Sequence, residues 1–97
     1  MAIQAEFAYP GVRRDSYDGM IPDVEAKLRS TRGFVAHFAS ETPDGFRVVE
    51  VWESEAAMRA WLHDTIAPMM ASAGGAAPQP TVRPLYHQIV KIGRAYV

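Results

Sequence analysis

Apolar and polar residues alternate at the start of the chain. In AIQAEFAY, residues 2–9, Ile3, Ala5, Phe7 and Tyr9 share one face while Gln4 and Glu6 take the other, the period-two pattern of a half-buried strand. Pro10 and Gly11, both turn formers, end it. The period then lengthens: Tyr17, Met20, Ile21, Val24 and Leu28 recur at helical spacing and predict an amphipathic helix with Asp15 as its N-cap. Pro22 interrupts that pattern. It lacks a backbone N–H and disfavours helical geometry at Ile21, so either a kink or a loose first turn with the firm helix starting near Pro22 is expected.

GFVAHFASE, residues 33–41, and GFRVVEVWE, residues 45–53, predict two more strands. Between them Asp44 and Gly45 suit the positive φ angles of a two-residue turn, which makes the strands antiparallel neighbours. That turn would set Pro43 opposite Phe46 and His37 opposite Trp52, with Glu50 on the same face. Ser54 then caps a second helix whose apolar stripe is Met58, Trp61, Leu62, Ile66 and Met69. ASAGGAAPQP, residues 71–80, reads as a loop, and TVRPLYHQIVKI, residues 81–92, as a last strand. Pro84 assigns that strand to an edge or a bulge.

Strand, helix, strand, strand, helix, strand is the α+β, ferredoxin-like βαββαβ order, with a four-stranded antiparallel sheet and both helices on one face. Apolar strand positions nevertheless occur on both faces: Val35, Ala39, Val49 and Val51 on one, Phe34, Phe38 and Val48 on the other. A bare apolar sheet is unusual on a monomer, so a homodimer with its sheets face to face is expected. Size points the same way. A chain of 97 residues reads as one domain, 1–97, and buries only about 60–65% of its unfolded surface, which a second copy would supplement.

Composition removes several function classes. Ten Lys and Arg stand against eleven Asp and Glu, and no basic run is present, so nucleic acid is not an expected partner. The absence of cysteine excludes disulfides, thiolate catalysis and cysteine-based metal sites. No apolar stretch reaches the roughly 20 residues of a membrane span, and MAIQAEFAYP lacks the features of a signal peptide. A cytoplasmic protein without a membrane partner is expected.

The stretch VVEVWESEAAMRAWL, residues 48–62, with GF opening its strand and the strand-to-helix junction VWES at its centre, resembles the antibiotic-biosynthesis-monooxygenase-like family. That resemblance implies a dimeric α/β barrel with a small-molecule cleft between each sheet and its helices. Some members oxidise aromatic polyketide intermediates without metal or flavin, and others degrade haem. Trp61 falls on the family's helix tryptophan. Phe7 and Ala71 stand where the haem-degrading branch has asparagine and a ligand histidine, so that branch's set is not carried. Ala57 and Met58 likewise replace polar helix residues that assist in the polyketide-oxidising branch.

The chemistry-bearing residues gather where the hairpin places them. His37 beside Glu50 could act as a general base near neutral pH, and Trp52 could stack on a flat substrate. A His–carboxylate pair can equally be a structural hydrogen bond at a dimer interface. His87, next to Tyr86, is a second candidate acid or base. Phe7, Trp52, Trp61, Met58 and Tyr86 are candidate walls for a hydrophobic ligand. The three histidines lack a ligand spacing, so no metal or other cofactor is assigned. The leading expectation is a cofactor-independent monooxygenase-like enzyme for a planar phenolic or polyketide-type molecule. A non-oxidative cyclase or isomerase using His proton transfer, or a non-catalytic small-molecule-binding dimer, are the alternatives.

Overall fold

A computed structural model describes residues 1–91. Its elements are β1 (Ile3–Pro10), α1 (Arg14–Arg29), β2 (Phe34–Thr42), β3 (Gly45–Trp52), α2 (Glu55–Trp61), a π-helical turn (Leu62–Ile66), α3 (Ala67–Ser72) and β4 (Thr81–Pro84). The sheet runs β2-β3-β1-β4 with every adjacent pair antiparallel. This is the expected ferredoxin-like α+β arrangement, and the sheet is open rather than closed. None of the helices in the described residues is long and apolar enough to cross a membrane.

The period-two residues of β1 and β3 meet the helical stripes in one core. Ile3, Ala5, Phe7, Val48 and Trp52 from the sheet pack with Val24, Leu28, Met58, Trp61 and Ile66 from the helices. Phe7, Trp52 and Met58 are fully buried. Helix α1 begins at Arg14 and runs through Pro22, so the loose-first-turn alternative is not adopted. Burial of Val24 and Leu28 outweighs the backbone bond that Pro22 cannot make. Asp15 sits inside the first turn rather than at the cap, which is Arg13 with no side-chain bond. Ser54 caps α2 as expected, its Oγ accepting from the Ala57 N–H at 3.1 Å.

The hairpin differs from expectation in register but not in face. Its turn is Pro43-Asp44, with Thr42 paired to Gly45 and His37 paired to Glu50 rather than to Trp52. Asp44 does not adopt positive φ, so the expected turn geometry does not form there, while Pro43 supplies a pre-set turn torsion. Gly45 serves the sheet instead: a Cβ on it would overlap the Tyr9 carbonyl oxygen and lie 2.9 Å from the Gly11 nitrogen. The slip is two residues, and an even slip keeps every side chain on its own face.

A bulge at Val35 then turns the start of β2. Phe34 pairs with Trp52 and Ala36 with Val51, so Phe34 and His37 both face the helices although three residues apart, which regular alternation forbids. The expected grouping of strand positions is corrected accordingly. Ala39 faces Val48 on the helical side, and Phe38 faces Val49 on the open side. Strand β4 is shorter than residues 81–92. Pro84 pairs with Ile3 and the Leu85 N–H donates to the Ala2 carbonyl, where β1 runs out of partners. Residues 85–91 have no regular structure, and Ile92, the last residue of the expected strand, lies outside the described residues.

Candidate active site

A hydrogen-bonded chain of four side chains crosses from helix to sheet. The Trp52 indole N–H donates to Glu50 Oε1 at 3.0 Å, and Glu50 Oε2 lies 2.8 Å from His37 Nδ1. His37 Nε2 lies 3.0 Å from the Tyr17 hydroxyl. Strand pairing brings His37 and Glu50 side by side, while α1 delivers Tyr17 from its inward stripe. Glu50 is 5% exposed and the one buried charged residue among those described. With Nδ1–H donated to the carboxylate, Nε2 of a neutral ring accepts the tyrosine proton. The result is a relay from a buried acid to a phenol.

This relay borders a cavity of about 210 Å³ between sheet and helices. Phe7, Phe46, Val48, Trp61, Met69 and Met70 supply apolar wall, and Tyr9, Tyr17, His37 and Glu50 supply its polar side. Tyr17 stacks on Phe46, with centroids 4.8 Å apart and planes 7° from parallel. The π-helical turn aims part of the wall. Pro68 cannot donate a backbone bond, and the Ala67 N–H reaches Leu62 O five residues back. That extra residue per turn lets Leu62, Ile66, Met69 and Met70 all face the cavity.

Of the residues singled out in the sequence, His37, Glu50, Phe7 and Trp61 line this cavity. Trp52 lies behind the wall as the partner of Glu50, and Met58 is packed in the core. Tyr86 is fully exposed and His87 is exposed, and neither lines the cavity. Tyr17, Tyr9 and Phe46 went unnoticed as site residues. The available signal for Tyr17 was a hydroxyl on an otherwise apolar helical stripe. His63 is exposed beside Asp64. Among the described residues no three His, Asp or Glu side chains converge to hold a metal ion.

Burial and the Glu50 carboxylate disfavour phenolate formation at both tyrosines. Desolvation first, then Glu50 and Tyr17, pushes the Tyr9 hydroxyl up to about 12. Tyr17 is raised by burial, then by Glu50, Asp18 and Glu25. A raised acid holds its proton longer in the folded state, so Tyr9 contributes stability that is complete below its unfolded value near 10 and is lost as pH rises through about 12. The loss should approach about 2–3 kcal/mol. Urea unfolding between pH 9 and 12 is expected to show a shallower alkaline decline for Tyr9→Phe than for the wild type.

An open ferredoxin-like sheet with a polar-ended apolar cavity beneath its helices defines a class of small α+β pocket proteins. Within that class, residues 21–66, from α1 through the π-helical turn, match the model of the antibiotic biosynthesis monooxygenase family. The fold is similar to that of SnoaB, a cofactor-independent oxygenase from Streptomyces nogalater, with TM-score 0.60, 13% identity and coverage of 93% of this chain and 95% of that one. It is similar to Rv0793 from Mycobacterium tuberculosis, with TM-score 0.61, 18% identity and coverage of 92% and 97%. A monooxygenase from the ActVA-Orf6 gene of Streptomyces coelicolor, in complex with Nanaomycin D, gives TM-score 0.56, 20% identity and coverage of 94% and 91%. No curated protein is a significant match to the sequence.

Proposed function

We propose that the protein is a cofactor-independent monooxygenase-like enzyme that oxidises a planar, hydrophobic phenolic or polyketide-type molecule in the cavity beside His37. The observation that carries this reading is the Tyr17–His37–Glu50 chain on the wall of an otherwise apolar cavity. A phenol with a free para C–H needs no external reductant: with dioxygen it gives a para-quinone and water. One oxygen atom enters the ring, the other leaves as water, and the substrate supplies all four electrons. The protein's task is to accept the phenolic proton, because phenolate gives up an electron to dioxygen far more readily, and to keep bulk water out. The likeness to SnoaB, a cofactor-independent oxygenase, supports this reading.

The test is oxygen uptake with 1-naphthol and no added cofactor. One dioxygen consumed per naphthoquinone formed is expected. Turnover of a phenolic substrate under strict anaerobiosis would instead favour proton-transfer isomerase or cyclase chemistry. Binding without turnover would favour an accessory binding role.

The same reading includes a homodimer that shelters the open face of the sheet. Ala36, Phe38, Val49 and Val51 form its apolar strip, and Phe38 is 57% exposed in the single chain. An exposed pair, Arg47 with Glu6, lies on that face. In a twofold interface each substitution acts twice. Phe38→Lys is therefore expected to weaken the dimer about a hundredfold or more, through lost apolar burial and a desolvated ammonium on each side. Sedimentation across protomer concentration checks it. An unchanged dimer would place the interface elsewhere.

A further inference from the structure

Resting on the reading of the cavity as the substrate site, we propose that its ligand is a phenol of one or two rings whose hydroxyl donates to the Tyr17 oxygen. The relay's own bonds select that atom. His37 has both ring nitrogens engaged, Nδ1 with Glu50 and Nε2 with Tyr17. Each Glu50 oxygen likewise has a partner. Tyr17 is the terminal member, and a hydroxyl that donates one bond still has lone pairs to accept another. An incoming O–H completes the series ligand to Tyr17, Tyr17 to His37, His37 to Glu50. A ligand oxygen without a proton would find no matching donor in the relay.

Size sets the other limit. An apolar cavity of roughly 150 Å³ takes benzene, and drug-sized ligands use roughly 300–1,000 Å³. At about 210 Å³ this cavity accommodates a substituted ring or two fused rings and leaves a third outside. The flat surfaces suit such a ligand. Phe46 is already stacked on Tyr17, and Trp61 adds a second flat ring to the wall. The methionines Met20, Met69 and Met70 can adjust to substituents.

The experiment is calorimetric titration of the wild type and Tyr17→Phe with three probes: 1-naphthol, naphthalene and the three-ring 1-anthrol. The wild type is expected to bind 1-naphthol about tenfold more tightly than naphthalene, the worth of one hydrogen bond. In Tyr17→Phe that preference should fall below about threefold. The wild type should bind 1-anthrol at least about tenfold more weakly than 1-naphthol. Equal binding of 1-naphthol and naphthalene by the wild type, or a full preference surviving in Tyr17→Phe, would overturn the hydroxyl anchor. Binding of 1-anthrol as tight as that of 1-naphthol would overturn the size limit. No oxygen enters these titrations, so a result here stands apart from success or failure of the oxygenation assay.

Discussion

Glu50→Gln is expected to lower kcat/KM for a phenolic substrate by about 10²–10³-fold while costing only about 1 kcal/mol of stability. The amide has the carboxylate's shape but only one acceptor end. If its oxygen keeps the bond from Trp52 Nε1, now made to Glu50 Oε1 at 3.0 Å, its NH₂ points at His37 Nδ1, now 2.8 Å from Oε2. Nδ1 must then accept, the ring proton moves to Nε2, and Nε2 donates to the Tyr17 oxygen. Every bond survives, the two at His37 with their direction reversed, and the relay can no longer draw a proton inward. This is the tautomer logic by which an acid-to-amide change disables a His-based proton transfer without disturbing its geometry. Oxygen-uptake kinetics, urea unfolding and long-range ¹H–¹⁵N spectra of the imidazole separate the three effects. Unchanged turnover with a reversed tautomer would reduce the pair to a structural hydrogen bond.

That pair was legible in the sequence because parity is more robust than register. His37 and Glu50 fall on one face whether the turn is Asp44-Gly45 or Pro43-Asp44, since the two differ by an even slip. The stripes of both helices and the Ser54 cap were legible for a similar reason: each rests on local spacing and short-range bonds. What escaped depends on the whole sheet. Gly45 is used for its close approach to the Tyr9 carbonyl, not for the hairpin turn. The bulge at Val35 answers to Phe34 packing on Trp52, with ring centroids 5.5 Å apart. The alternating pattern of residues 81–92 gave no sign that β1 would run out of partners at Ala2. Tyr17 read as one more apolar helix position until β2 set His37 against it.

The largest loss of stability is expected from Trp52→Ala, about 3–5 kcal/mol for removal of a buried indole. For a domain whose total stability is about 5–15 kcal/mol, that is enough to leave a large unfolded fraction. Trp52 is completely buried, meets Phe34 edge-on, and lies 6.2 Å from Trp61. Its N–H also satisfies an oxygen of buried Glu50. Truncation would open a cavity beneath the site and strand that oxygen at once. Trp52→Phe divides the two contributions, because it retains most of the ring volume and removes the donor. Its cost should be about 1–3 kcal/mol, mostly the desolvated oxygen left without a partner. Pairing Trp52→Phe with Glu50→Leu in a double-mutant cycle isolates that bond, since the first change removes its donor and the second its acceptor. Strict additivity in urea unfolding would show that the indole supports the site only by filling space. A coupling of about 1 kcal/mol or more would show that the hydrogen bond itself holds the carboxylate beneath His37.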